Sequence, residues 1–155
     1  MARASASVLV PGLASEAEAL WYDPVRWAAW VDGFGHVVEL SEEWPAQGRL
    51  LWHSVPEGRG RVLEIVTAFE ARAGQTLMVE DSRLRGTQRV EFAPGPDETK
   101  ITLSLDYELK DGSPLSGLVD VLFVRRAVVA SLRRTLARFA RERRADTELE
   151  AVTSR

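Results

Sequence analysis

The sequence predicts an α+β domain: a seven-stranded antiparallel sheet, in the element order β-αα-β6-α, curved around one long C-terminal helix. Three observations lead there. From Pro114 to about Arg144 the apolar positions Leu115, Leu118, Leu122, Val129, Leu132, Leu136 and Phe139 lie 3, 4, 7, 3, 4 and 3 residues apart, one face of an α-helix. Between Gly35 and Lys110 the apolar period falls to two, the repeat of half-buried strands. Short turns separate these strands, which makes their neighbours antiparallel. A helix of about thirty residues is roughly 45 Å long, and its apolar stripe needs a surface to cover it. The sheet supplies that surface.

Residues 3–10 open the chain with Ala4, Ala6, Val8 and Val10 on one face and Arg3, Ser5 and Ser7 on the other. This is a strand, ended by Pro11-Gly12. Ser15 and Glu18 have the spacing of a capping box and predict a short helix to about Trp21. Asp23-Pro24, cap and first helical residue, starts a second short helix to about Val31, and Asp32-Gly33 stops it. These helices carry Trp21, Tyr22, Trp27 and Trp30. Strands follow at 35–41, 48–55, 59–70, 75–82, 84–93 and 99–110. They are broken by Pro45-Ala46-Gln47-Gly48, Pro56-Glu57-Gly58, Ala73-Gly74 and Pro94-Gly95-Pro96-Asp97. The last strand alternates most cleanly, with Ile101, Leu103, Leu105, Tyr107 and Leu109 inward and Thr102, Ser104, Asp106 and Glu108 outward. Asp111-Gly112 then turns the chain, Ser113 caps the long helix, and Pro114 takes its first position, where a missing N–H costs nothing. Residues 1–144 thus read as a single domain. Residues 145–155 lack an apolar period and are expected to fray.

Composition narrows the function classes. A chain of 155 residues, 45% apolar and 28% charged, has the make-up of a soluble domain with a real core. No apolar run approaches the ~20 residues of a membrane span, and the N-terminus has no signal-peptide pattern. A cytoplasmic location without integral membrane association is the expectation. The absence of cysteine removes disulfides, thiolate catalysis and cysteine metal sites. A net charge of −3 argues against binding nucleic acid. Even so, Arg125, Arg126, Arg133, Arg134, Arg138, Arg141, Arg143 and Arg144 crowd the last helix. They suit a solvated helix end favoured by the dipole, an acidic partner such as an acyl carrier protein, or anionic lipid headgroups. Monomer and homodimer both stay open.

The opening ASVLVPGLASEAEALWYDPVRWAAWVDGF, the GRL turn at 48–50, the GRGRVLEIVTAFE strand and the terminal helix resemble the START-like, or SRPBCC, superfamily with its helix-grip fold. The likeness is closest to its polyketide cyclase/dehydrase and lipid-transport branch. It spans about residues 3–143, and its most family-like part runs from Tyr22-Asp23-Pro24 to Trp30. The resemblance implies a cavity between sheet and helix that takes an apolar or amphipathic small molecule of lipid, isoprenoid or polyketide type, with no cofactor. The superfamily holds carriers and enzymes alike. The alternative is therefore a polyketide cyclase/aromatase using acid and base side chains inside that cavity.

Positions expected to line the cavity are Trp30, Phe34, Trp52, Glu64, Val66 and Val79, with Val90, Phe92, Leu103, Leu118 and Leu122. The aromatic ones suit stacking on a flat ligand and, equally, plain core packing. Candidates for chemistry are Glu64, Asp81, Arg125 and His53. Glu64 shares a strand face with Val62 and Val66, while Leu63, Ile65 and Phe69 compete for the inward side. If Glu64 faces in, desolvation raises its pKa. Asp81 carries the same ambiguity, since Leu77-Val79-Asp81 competes with Met78-Glu80. Arg125 interrupts the apolar helix seam, and either snorkels out or reaches in toward an acid such as Glu64. His36 and His53, the two histidines, read as a base or proton shuttle, or as surface or rim residues. No metal site is expected, because two histidines without cysteine and without HExxH spacing make a poor zinc set. Gly33-Phe34-Gly35 follows a helix and precedes a strand, the reverse of a dinucleotide motif, and neither a P-loop nor a GxSxG elbow occurs.

Overall fold

The structure, a computed structural model, describes residues 1–56, 58–110 and 118–154, with side chains from residue 122 onward in the last segment. The chain runs β1 (Ala2–Pro11), α1 (Ala14–Trp21), a 3-10 helix (Pro24–Ala29), β2 (Phe34–Leu40), β3 (Arg49–Ser54), β4 (Arg61–Glu70), β5 (Gly74–Glu80), β6 (Leu84–Pro94), β7 (Glu98–Leu109) and α2 (Leu118–Thr153). All the strands join one antiparallel sheet ordered β1-β7-β6-β5-β4-β3-β2. Strands β2 to β7 form the expected meander. β1 returns to pair with β7 along its length, from Ala2↔Tyr107 to Pro11↔Glu98. The expected helix-grip architecture is present.

Alternation sets the faces. Ala4 and Val10 of β1, Leu50 and Trp52 of β3, Leu77 and Val79 of β5, and Ile101, Leu103, Leu105 and Tyr107 of β7 are buried on the concave side. α2 packs along β1 and against β7, and it buries Leu132, Leu136, Phe139 and Ala140. Phe139 is the wedge. Its ring meets Trp21 at 5.1 Å and Trp30 at 5.0 Å, both edge-on. Such aromatic pairs contribute about 0.5–1.5 kcal/mol each beyond the area they bury, so Phe139 helps hold α2 against α1, which Arg143 also meets through Glu16.

Two expected boundaries move. α1 begins at Ala14 and is capped at Leu13, whose N–H donates to Glu16 Oε1 at 2.9 Å. Ser15 lies inside the helix, and Glu18 accepts instead from the Arg72 N–H at 2.6 Å. The turn is tight because Gly12 sits at φ +94°, where a Cβ would be 2.8 Å from Glu16 Oε1. The second helix is a 3-10 helix, with the Asp23 carboxylate accepting from the Val25 N–H at 3.2 Å as its cap.

The other boundary is the C-terminal one. α2 does not fray at Arg144 but continues to Thr153. The cause is tertiary: the Arg26 guanidinium donates to Asp146 at 2.7 and 2.9 Å and to Glu142 at 3.0 Å. Thr147 Oγ1 also donates back to the Arg143 carbonyl at 2.9 Å. The expected Asp111-Gly112 turn, Ser113 cap, Pro114, Leu115 and the Leu118 side chain lie outside the described residues. Among the described residues no helix is long and apolar enough to cross a membrane.

Candidate functional site

Between the concave sheet face and α2 lies a cavity in two parts, which share Asp32, Arg59, Gln88, Ser131 and Leu132 in their walls. The inner part, about 60 Å³, is walled by Trp21, Trp27, Trp30, Trp44, Trp52, Glu64, Leu77 and Leu103. The outer part, about 370 Å³, is walled by Leu84 and Leu105 from the sheet and by Phe123, Val124, Ala127 and Val128 from α2. Asp81 and Arg83 stand at its sheet end. The outer volume falls within the ~300–1,000 Å³ of small-molecule pockets.

Glu64 is the central polar group. β4 places it opposite Leu50 on one side and Val79 on the other, both buried. Its own side chain turns inward and is 5% exposed. Burial pushes its pKa up to about 7, with the Arg59 cation and the Trp52 N–H beside it pulling the other way. That N–H does not reach hydrogen-bond alignment. Glu64 Oε2, Trp52 Nε1 and Trp30 Nε1 are all buried without a partner. The other indoles differ: Trp27 Nε1 donates to the Trp21 carbonyl at 2.9 Å and Trp44 Nε1 to the Tyr22 carbonyl at 3.0 Å.

Two carboxylates frame the rest. Asp81 accepts from the Arg83 and Leu84 N–H groups at 2.7 and 2.9 Å, closing the β5–β6 turn. Its second oxygen accepts from Arg59 Nε at 2.5 Å, and the Arg59 guanidinium lies 5.7 Å from the Trp52 ring centre. Asp32 ties its loop to α2, accepting from Ser131 Oγ at 2.7 Å, Arg134 Nη2 at 3.0 Å and Arg138 Nη1 at 3.2 Å. Burial alone would raise the Asp32 pKa, but the bonds from Arg134 and Ser131 hold it below the usual carboxylate range.

The structure brings Trp30, Trp52, Glu64 and Leu103 to the inner part and Asp81 to the outer one. It therefore settles the two strand ambiguities in favour of Glu64 and of Leu77-Val79-Asp81. Val66, Val79, Val90 and Phe92 are packed within or against the core and do not line either part. Phe92 meets Trp21 and Tyr22 edge-on under α1. Phe34 stands behind the wall, 5.4 Å from Trp52 and 6.0 Å from Trp27.

One more cavity position is corrected, and two open candidates for chemistry are decided outward. Leu122 is 49% exposed, because the inward row of α2 at this end is Val124 and Val128, and two residues correspond to about 200° of helix rotation. Arg125 is exposed as well and does not meet Glu64; the cation that acts on Glu64 is Arg59. His53 lies on the outer sheet face, stacked on His36 at 5.3 Å and accepting from Arg61 Nε at 3.3 Å. Its β3 neighbours Trp52 and Ser54 take the inner face. The arginine-rich helix end is divided as well. Arg143 is buried beside Glu16 and Asp146, Arg134 and Arg138 are engaged by Asp32, and Arg126, Arg133, Arg141 and Arg144 are exposed.

Sequence reasoning missed Arg59, Gln88 and Asp32. Gln88 had a signal, since it alternates with Leu84, Gly86, Val90 and Phe92 on the inward side of β6. Arg59 sits in a turn, where no periodicity marks it.

Solved structures share the fold. A START superfamily protein from Mycobacterium smegmatis matches with a TM-score of 0.75 and 19% identity, over 92% of this chain and 97% of that one. TTHA0849 from Thermus thermophilus matches at 0.69 and 20% identity, over 89% of this chain and 97% of that one. DynU16, from the dynemicin biosynthetic locus, matches at 0.61 and 18% identity, over 90% of this chain and 46% of that one. No curated protein sequence matches the chain. The family model described as polyketide cyclase/dehydrase and lipid transport matches residues 1–143. The chain therefore belongs to the polyketide cyclase/dehydrase and lipid transport family.

Proposed function

We propose that the chain binds an apolar or amphipathic small molecule, of lipid, isoprenoid or polyketide type, in the cavity between the sheet and α2. One observation carries this reading: an outer space of about 370 Å³ bordered by Leu84, Leu105, Val124, Ala127, Val128 and Leu132. A ligand that buries ~200 Å² of apolar surface there gains roughly 5 kcal/mol, before the costs of association. Membership in a family that joins cyclases to lipid transport proteins supports the same ligand class. The reading includes no cofactor, a cytoplasmic location, and a monomer or homodimer. Native mass spectrometry of the protein from its own host, followed by organic extraction, tests it, together with titration by the neutral dye N-phenyl-1-naphthylamine. A stoichiometric passenger or saturable dye binding is expected. A protein that carries nothing and binds no dye refutes the reading.

A second reading, a polyketide cyclase/aromatase, is favoured by Glu64 itself. A carboxyl with a pKa near 7 is matched to acid–base work at neutral pH, and it lies in the cavity wall. The test is the aldol closure of a poly-β-keto thioester mimic. The reading requires acceleration over buffer that Glu64→Gln abolishes, and it fails if the wild-type protein changes neither rate nor product.

A further inference from the structure

We propose that the inner part of the cavity is a head-group site for a neutral oxygen function bearing an O–H, an alcohol or the enol of a β-diketone, and that it rejects carboxylate and phosphate heads. This deepens the cavity-binding reading and rests on it. Three side chains around one small space, Trp30, Trp52 and Glu64, each present a buried polar atom that makes no aligned hydrogen bond, the Trp52 N–H lying beside the Glu64 carboxylate. The two indoles are 1% exposed and the carboxyl 5%, so surface solvent does not serve them. Buried polar groups in folded proteins almost always have a partner. That Trp27 and Trp44 find backbone carbonyls while Trp30 and Trp52 do not sets this pair apart.

The donor and acceptor inventory selects the ligand. An indole N–H only donates, whereas an ionised carboxylate only accepts. An alcohol or enol oxygen accepts from the indoles and donates its O–H in a hydrogen bond to Glu64, so one head matches both kinds of group. A carboxylate or phosphate offers acceptors alone. It also brings the wrong charge. Arg59 is the cation in the inner wall, and its Nε is committed to Asp81. Arg59 and Asp81 therefore offset one another, and ionised Glu64 is the wall charge left without an ion pair among the described residues. Asp32, also in the wall, is met by Arg134 and Arg138. The inner volume of about 60 Å³ admits a head of a few atoms, and the shared wall at Gln88 and Leu132 leads its tail into the outer part.

Matched probes test the inference. 1-Decanol and decanoate, equal in chain length, are titrated at pH 8 by calorimetry into wild type, Glu64→Gln and Trp52→Phe, with N-phenyl-1-naphthylamine as a neutral dye that has no such head. Wild type is expected to prefer decanol by at least about tenfold, the scale of one charge-assisted hydrogen bond. Glu64→Gln, nearly isosteric, is expected to bring decanoate within about threefold of decanol. Trp52→Phe keeps a ring and loses the N–H, and is expected to weaken decanol about fivefold, by more than it changes binding of the head-less dye. Equal affinity of the two heads for wild type, or the same preference in Glu64→Gln, overturns the inference. If the dye still binds in that case, cavity binding stands and only the head-group assignment falls. If neither dye nor decanol binds, both fall.

Discussion

Replacing Glu64 by Gln isolates the cost of burying a carboxylate from everything else in this core. Glu64 is 5% exposed and faces Leu50 and Val79 across its two neighbouring strands. Burial raises its pKa from 4.5 to about 7. In the unfolded chain the group ionises at its ordinary value. Between pH 4.5 and about 7 the folded protein therefore holds a proton that the unfolded chain releases, and stability falls as pH rises through that window. The penalty is absent below the unfolded pKa and complete above the folded one. At ~1.4 kcal/mol per pKa unit the whole shift is worth about 3 kcal/mol.

Gln has nearly the same shape and no charge, so the variant escapes this penalty. Its stability relative to wild type should gain about 3 kcal/mol between pH 4.5 and 8, or roughly 6–12 °C in Tm for a chain of this size. Urea unfolding at pH 5, 6, 7 and 8, followed by tryptophan emission, reads the difference. A difference between the two proteins that stays constant from pH 5 to 8 refutes the claim that Glu64 is desolvated.

Three further predictions follow from the packing. Phe139→Ala should cost about 3–5 kcal/mol, because a fully buried ring between Trp21 and Trp30 is lost; near-UV circular dichroism should lose intensity with it, and an unchanged urea midpoint would contradict the wedge. Truncation after Arg144 removes Asp146, the partner of Arg26 and a neighbour of Arg143. Since Arg26 is partly exposed, the loss should be modest, about 1–2 kcal/mol by urea unfolding, and a shortened protein as stable as the full chain would show that residues 145–153 contribute nothing. Leu122→Ser should change stability by less than ~0.5 kcal/mol, whereas a loss of several kcal/mol would return Leu122 to the core.

Much of this protein is written in local sequence. Element order, strand faces in β1 and β7, and the Asp23 cap follow from alternation and turn chemistry, which depend on residues a few positions apart. The same local rules fell silent at β4. It is apolar on both faces, so period two did not choose between Glu64 and Leu63 with Ile65. Pairing with Leu50 and Val79 made the choice. The cation beside Glu64 is Arg59, placed by Asp81 across the sheet end, and not Arg125, which the helix seam suggested. That seam was misphased at its first turns because Val124 and Val128, and not Leu122, border the cavity. The tail at 145–153 has no apolar period of its own and is helical because Arg26, on the far side of the sequence, holds Asp146. Short-range sterics and hydrogen bonding make a strand or a cap legible in a window of residues. A buried charge, a cavity wall or a docked helix end takes its partner from a distant segment, which only the folded chain brings near.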